Sequence, residues 1–177
     1  MAELEAALRE RLGPDLYATG EDTLEGAVVA RLKARKATLA TAESVTGGML
    51  ASRIVAVPGA SDVFLGALVA YGEGAKARLL GVPGDLLASR GEVSPETASA
   101  MAAAARKVTG AGWGVATTGY AGPGGGTERD PAGTVYIALE GPGVATVERR
   151  WFRGERNVVR TYAVTHALEI LRRGLES

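Results

Sequence analysis

Ser44 stands where an apolar stretch ends and a glycine pair begins, and its hydroxyl is the first candidate for chemistry. The run 37–42 leads into Glu43-Ser44-Val45-Thr46-Gly47-Gly48, after which a helical pattern begins. A strand that turns directly into a helix places a hydroxyl beside unpaired backbone N–H groups, which favour an anion or a developing oxyanion. The alternative is that Ser44 or Thr46 merely caps the helix. Against a cap alone, no Glu or Gln stands three residues after Ser44, and each glycine costs about 1 kcal/mol relative to alanine in a helix.

A serine hydroxyl is a weak nucleophile until a base removes its proton, and the sequence offers a lysine for that role. Lys76 follows Tyr71 at the end of a second apolar segment. A lysine can serve as a base when its environment favours the neutral amine, and a tyrosine hydroxyl can orient or relay the proton. The single histidine, His166, stands far along the chain, so a Ser-His-Asp arrangement is not expected. From spacing alone, a strand-end tyrosine and a solvated lysine are the simpler interpretation.

A glycine-rich segment from Gly119 to Gly126 is a candidate binding loop. It has glycine at 119, 122, 124, 125 and 126. It matches neither the dinucleotide fingerprint G-x-G-x-x-G nor the P-loop pattern. Its backbone N–H groups favour a nest for a phosphate or carboxylate, and a plain surface loop is the alternative.

The composition excludes several classes of function. The chain of 177 residues carries 20 basic and 20 acidic residues, so a broad nucleic-acid-binding surface is not expected. Cysteine is absent, which excludes disulfides, thiolate metal sites and a cysteine nucleophile. Neither a metal nor a cofactor is predicted. The acidic start lacks a signal-peptide core and no apolar run approaches membrane-spanning length, which favours a cytoplasmic protein without membrane contact. A homo-oligomer is left open.

The alternation of apolar segments with helical patterns predicts an α/β fold. Strands are expected at 38–42, 64–71, 114–118, 134–140 and 145–152, and helices at 2–12, 24–35, 48–57, 72–81, 85–89, 94–108 and 157–173. Strands separated by helices favour a parallel sheet covered on both faces. Gly141-Pro142-Gly143 joins the last two strands as an antiparallel hairpin. The prediction is a three-layer α/β/α sandwich around a mixed, mostly parallel five-stranded sheet.

Three polar segments follow the predicted parallel strands: 43–48, 71–76 and 117–126. In such sheets, sites form at the carboxyl ends of the strands, so these segments are expected to converge. A domain boundary is expected near residue 20. It divides an N-terminal extension or linker, residues 1–20, from the main domain, residues 21–177. Asp22 with Glu25 is the predicted capping pair of the first helix of that domain.

Several motifs stand in an order that resembles one known family. They are Thr41-Ala-Glu-Ser-Val-Thr-Gly-Gly48, Val57-Pro-Gly-Ala-Ser61, Tyr71 to Lys76, Leu79-Leu80-Gly81-Val82, Gly91-Glu-Val-Ser94, Thr118-Gly-Tyr-Ala-Gly-Pro-Gly-Gly-Gly126 and Pro131-Ala-Gly-Thr-Val135. Together they resemble the C-terminal domain of the competence/damage-inducible protein CinA, which also occurs alone as nicotinamide-nucleotide amidohydrolase. The resemblance covers about residues 23–173.

The resemblance implies hydrolysis of the carboxamide of nicotinamide mononucleotide to nicotinate mononucleotide and ammonia, in pyridine-nucleotide salvage. It implies a small nucleotide as partner, with Ser44 as nucleophile, Lys76 as base and Tyr71 assisting. No metal or cofactor is implied. The remaining candidates contact the substrate. They are Glu43; the N–H groups of Thr46, Gly47 and Gly48 at the oxyanion; and Thr118, Gly119, Gly122, Gly124, Gly125 and Arg156 at the ribose and phosphate.

The chain departs from the family pattern near the predicted site. Gly72-Glu73-Gly74 replaces a usual Ser-Asn start that would cap a short helix, and loss of a cap typically costs about 1 kcal/mol. Tyr120 replaces a usual Ile, and Asp130 replaces a usual Lys. Acidic residues near a site for an anionic substrate leave a second hypothesis open, a catalytically silent nucleotide-binding regulatory module. Family members often carry a larger N-terminal domain with pyrophosphatase activity, and that activity is not carried over.

Overall fold

The structure, a computed structural model, describes residues 2–13 and 22–176. This part of the chain alternates between helices and strands. The helices are α1 (Ala2–Leu12), α2 (Leu24–Ala34), α3 (Met49–Val55), α4 (Glu73–Leu80), α5 (Gly84–Arg90), α6 (Pro95–Thr109) and α7 (Arg156–Gly174), with a short 3-10 turn at Ala60–Asp62. The strands are β1 (Leu39–Glu43), β2 (Phe64–Val69), β3 (Trp113–Gly119), β4 (Thr134–Gly141) and β5 (Val144–Trp151).

The five strands form one sheet in the order β2-β1-β3-β4-β5. β1 pairs in parallel with β2 and β3, whereas β4 is antiparallel to both β3 and β5. Four strands therefore run in one direction and β4 runs against them. This arrangement confirms the predicted α/β fold with a mixed five-stranded sheet.

The two faces of the sheet carry side chains of different size. Large residues such as Leu39, Val115 and Ile137 belong to a core shared with α2, α3 and α7. On the other face Ala42, Ala116 and their neighbours pack with the alanine-rich α6. Side chains alternate across a strand, so each strand supplies both layers. The helices on both faces make the predicted three layers.

The parallel strands bring the three polar segments together at one edge of the sheet. Main-chain hydrogen bonds continue past the strand ends, from Ala70 N to Glu43 O at 2.8 Å and from Ser44 N to Thr117 O at 2.9 Å. The segments after β1, β2 and β3 therefore begin side by side. Ser44, Tyr71 and the glycine loop diverge only beyond this point.

The helix starts agree with the sequence in one case and differ in another. Ser94 caps α6 as predicted, because its Oγ accepts the N–H of Thr97 at 3.1 Å. The cap of α2 is Thr23, whose Oγ1 accepts from Gly26 N at 3.1 Å, so the prediction of Asp22 was wrong by one residue. The predicted boundary near residue 20 lies outside the described residues. Within the described part, no helix has both the length and the apolar character of a membrane span.

We predict that Gly114→Ala destabilises the domain by about 1–3 kcal/mol, the range typical of overpacking. A Cβ on Gly114 would lie 2.3 Å from the carbonyl oxygen of Ala102 in α6, so the helix would have to move away from the sheet. The measurement is the free energy of unfolding by urea denaturation. Gly84→Ala is the matched control, since nothing lies within 4 Å of its new methyl group. Equal stability of the two variants would contradict the close approach of α6.

Candidate functional site

A cavity of about 180 Å³ opens at the edge where the three segments meet. Of the residues predicted from sequence, it is lined by Ser44, Tyr71, Gly119, Gly122, Gly124 and Arg156. The other lining residues are Tyr120 and Ala121, which belong to the predicted loop 119–126, and Val45, Glu92 and Val93, which were not predicted as site residues. The cavity therefore draws on the segments after β1, β2 and β3, and also on the α5–α6 connection and the start of α7.

Ser44 and Lys76 meet at a single main-chain oxygen. Ser44 is 5% exposed, and its Oγ lies 3.4 Å from the carbonyl oxygen of Tyr71. The Nζ of Lys76 lies 3.5 Å from the same oxygen. Lys76 is 0% exposed, so the simpler interpretation of a solvated lysine is wrong. The two groups that a serine–lysine mechanism needs thus share one acceptor.

The buried ammonium of Lys76 is paired with Glu92. Its Nζ donates to Glu92 Oε2 at 2.9 Å, while the Glu92 side chain remains 43% exposed. A buried charge without a partner is costly, which explains why a carboxylate from another loop reaches this point. The signal in the sequence was Glu92 itself, which stands in the Gly91-Glu-Val-Ser94 motif. The spacing of 16 residues between Lys76 and Glu92 corresponds to no local motif, so the pair is visible only in the tertiary structure.

Arg156 connects two walls of the cavity. Its guanidinium donates to the hydroxyl of Tyr71 and, at 3.2 Å, to the carbonyl oxygen of Gly122. It is the first residue of α7 and is exposed at the cavity edge. The hydroxyl of Tyr71 is therefore engaged with Arg156, and the group of Tyr71 that contacts Ser44 and Lys76 is its carbonyl.

Glu43 lies beneath the cavity and caps α3. Its carboxylate is 0% exposed and accepts the N–H groups of Gly48, Leu50 and Ala51 at 2.9, 3.1 and 2.8 Å. α3 begins after Gly48, which has no side chain to cap it. Glu43 supplies that function, so Ser44 is not the cap of the helix. Glu43 was predicted to contact the substrate, but its buried carboxylate does not line the cavity.

The predicted oxyanion donors at Gly47 and Gly48 are already occupied. Gly47 N donates to Ser44 O at 3.0 Å, and Gly48 N donates to Glu43. That part of the prediction was wrong, because both N–H groups donate to acceptors within the same turn, the carbonyl of Ser44 and the carboxylate of Glu43. Among the described residues, the N–H groups of Val45 and Thr46 have no hydrogen-bond partner. Val45 also lines the cavity.

The hydroxyls of Thr46 and Thr118 face the interior. Thr46 Oγ1 lies 2.7 Å from both Glu43 Oε2 and Thr117 Oγ1. Thr118 Oγ1 donates to the carbonyl oxygen of Glu92 at 2.8 Å. Both residues are 0% exposed, which contradicts their predicted direct contact with substrate. Their role here is to hold the segments that carry Ser44 and Glu92.

Three predicted glycines lie outside the cavity wall. Gly47, Gly48 and Gly125 do not line it, whereas Gly119, Gly122 and Gly124 do. His166 lies on α7 with its Nε2 3.0 Å from Glu148 of β5. It does not line the cavity either, in agreement with the expectation against a Ser-His-Asp arrangement.

Tyr120 and Asp130 show how the unusual residues are accommodated. Tyr120 lines the cavity, and burial together with the negative charges of Glu92 and Asp130 raises its pKa, so the phenol is neutral at pH 7. Asp130 is 8% exposed and accepts from Tyr136 Oη at 2.9 Å and Arg149 Nε at 2.7 Å. The charge of Asp130 is thus compensated by Arg149 rather than left free near the cavity.

Comparisons with known proteins place the chain in a family. Residues 21–175 match the CinA C-terminal domain. A CinA-like protein of Myxococcus xanthus is 47% identical over 176 residues, which cover 99% of this chain and 42% of the relative. A CinA-like protein of Geobacter sulfurreducens is 47% identical over 168 residues, covering 95% of this chain and 41% of the relative. The chain thus spans about two fifths of the length of these curated relatives.

Solved structures share the fold. A CinA superfamily protein from Klebsiella pneumoniae superposes with a TM-score of 0.83 at 34% identity, covering 86% of this chain and 96% of the other. The competence/damage inducible protein CihA from Agrobacterium tumefaciens gives a TM-score of 0.80 at 33% identity, covering 87% and 94% of the two chains.

We predict that Glu43→Gln lowers the free energy of unfolding by about 2–3 kcal/mol. An amide can present only one oxygen to the N–H groups of α3, and its NH₂ group would face donors; hydrogen bonds to a charged acceptor are worth about 1.5–3 kcal/mol. Urea denaturation measures the effect. Glu73→Gln serves as the control, because Glu73 is exposed in the first turn of α4. A loss below about 0.5 kcal/mol would show that Glu43 does not hold this turn.

Proposed function

We propose that this chain, which belongs to the CinA C-terminal domain family, hydrolyses the carboxamide of nicotinamide mononucleotide to nicotinate mononucleotide and ammonia. The observation that carries the proposal is the placement of Ser44 and Lys76 on one carbonyl oxygen, with Ser44 at the cavity wall. A serine nucleophile needs an adjacent general base, and a buried lysine amine can supply this base where no histidine among the described residues lines the cavity. The substrate itself comes from the motif resemblance.

The first step is attack by Ser44 Oγ on the amide carbon. Its proton passes to Lys76 Nζ, which must enter this step as the neutral amine. The negative oxygen that develops on the substrate needs a donor, and the N–H group of Val45, which has no hydrogen-bond partner among the described residues and belongs to a residue of the cavity wall, is the candidate. One such donor is typically worth roughly 3–4 kcal/mol of transition-state stabilisation.

The second half of the reaction releases the products. The lysine ammonium returns its proton to the leaving nitrogen, the C–N bond breaks and ammonia departs. A water molecule then gives a proton to Lys76 and attacks the ester on Ser44, and nicotinate mononucleotide leaves as the serine regains its proton. Arg156 and the backbone of Gly122 and Gly124 bind the phosphate and ribose at the outer wall.

We predict that the purified chain releases ammonia from nicotinamide mononucleotide and that Ser44→Ala loses at least about 1,000-fold in kcat. Removal of the nucleophile leaves only binding and electrostatic stabilisation, as in other serine hydrolases. A coupled ammonia assay measures the rate, and Ser52→Ala on α3 is the matched control. No ammonia from the wild type would overturn the proposed activity. Equal rates with and without the Ser44 hydroxyl would overturn only the nucleophile.

We predict that Lys76→Met lowers kcat by about 100- to 10,000-fold while the fold is retained, because general base catalysis contributes that range. Methionine fills the buried volume of the lysine stem without an amine. The ammonia assay reports the rate, and circular dichroism with urea denaturation reports the fold. Lys33→Met is the control at an exposed ion pair. Full activity without the amine would assign the base to another group.

A second function is favoured by the ion pair at Lys76. The Nζ of Lys76 donates to Glu92 Oε2 at 2.9 Å, and an amine engaged in this ion pair is not available to accept a proton from Ser44. If this pair persists when the nucleotide binds, the chain is a catalytically silent nucleotide-binding module. Calorimetric binding of nicotinamide mononucleotide without ammonia release would support this second function, and turnover would eliminate it.

A further inference from the structure

We propose that Glu92 and Tyr120 form a subsite for the positive charge of the substrate ring, so that the chain selects a cationic pyridinium carboxamide over a neutral one. This inference rests on the proposed amidohydrolase function. Both residues line the same cavity as Ser44, and neither was assigned a role by the sequence. The subsite would determine specificity for the ring whose carboxamide is attacked.

Glu92 is suited to bind a second cation. One carboxylate oxygen holds Lys76, and in the described part of the chain the other oxygen has no hydrogen-bond partner. The side chain is 43% exposed and lines the cavity, and its main chain is held because its carbonyl oxygen accepts a hydrogen bond from Thr118 Oγ1. The carboxylate is therefore anchored on one side and open on the other.

Tyr120 provides an aromatic surface in the same cavity. It follows the end of β3 and is half-buried, and the nearby charges of Glu92 and Asp130 together with burial keep its phenol neutral. An aromatic ring attracts a cation at its face by about 0.5–1 kcal/mol at an exposed site, and more when water is excluded. A neutral ring would gain only the ordinary stacking contact.

The charges of the cavity match those of a nucleotide with a cationic base. Arg156 lies at one wall and Glu92 at another. N-glycosylation makes the nicotinamide ring a pyridinium cation, and the phosphate of the same molecule is an anion. Attack by Ser44 requires the carboxamide at its hydroxyl, which places the ring beside Glu92 and directs the phosphate toward Arg156. A ring cation next to Glu92 gives this carboxylate a second positive neighbour besides Lys76.

The experiment compares two ligands that differ in ring charge. Nicotinamide mononucleotide and its reduced 1,4-dihydro form share the ribose, phosphate and carboxamide, but the reduced ring is neutral. Dissociation constants are measured by calorimetry in the Ser44→Ala background, so that chemistry does not interfere. The quantity of interest is the affinity ratio of oxidised to reduced nucleotide. Adding Glu92→Gln should lower this ratio roughly five-fold, the upper value for a half-exposed charge pair, and adding Tyr120→Ile roughly two- to five-fold.

Two controls separate recognition from structure. Glu96→Gln removes the same charge at a carboxylate that pairs with Arg90 instead, and it should leave the ratio unchanged. Glu92→Asp keeps the charge and should retain most of the preference. If Glu92→Gln unfolds because Lys76 loses its partner, Tyr120→Ile still decides the matter.

The outcomes are distinct. A ratio that is unchanged in both Glu92→Gln and Tyr120→Ile, or an equal loss of affinity for both nucleotides, would overturn the subsite while leaving the amidohydrolase activity standing. Failure of both nucleotides to bind, with no ammonia from the wild type, would overturn the proposed function itself. A ratio that falls only when Glu92 or Tyr120 is changed supports the inference.

Discussion

The turn that carries Ser44 depends on one buried carboxylate. Glu43 accepts three backbone N–H groups at the start of α3 and the hydroxyl of Thr46, so the turn between β1 and α3 is closed from below. Gly48 begins the helix with φ of 92°, a left-handed conformation that favours glycine, and has no side chain to cap it. Because Glu43 accepts the N–H groups at the start of α3, the hydroxyl of Ser44 does not cap the helix, and Ser44 lines the cavity.

The second constraint is the burial of Lys76. Its ammonium has no access to water, so it must be held by acceptors of the protein, and these come from two different segments. The carbonyl of Tyr71 belongs to the chain leaving β2, and Glu92 belongs to the connection between α5 and α6. The lysine thereby links the sheet edge to the α6 layer, close to the hydroxyl that it would serve. The carboxylate that pairs with the lysine also lines the cavity, so Glu92 belongs both to the support of Lys76 and to the cavity wall.

The unusual residues of the chain are accommodated by local pairing. Gly72 leaves α4 without a side-chain cap, yet its carbonyl accepts the N–H of Lys76 at 3.1 Å, so the helix still begins in place. Asp130 is compensated by Arg149 and Tyr136 on the sheet. The negative charge that faces the cavity comes instead from Glu92. These contacts explain why departures from a family pattern do not by themselves decide whether a site is functional.

The sequence by itself determined the order of strands and helices and the edge at which the polar segments meet. Apolar periodicity predicts each element from residues close together in the sequence. The carboxyl ends of parallel strands lie at one edge of the sheet, so the segments that follow these strands are expected to meet there. The start of α2 was wrong by one residue because Asp22 and Thr23 are both good caps. The roles of Glu43, Thr118 and Glu92 were decided only by the tertiary structure. Each of these residues acts through a partner or a burial that appears when distant segments pack, and no local pattern encodes which polar group will be enclosed.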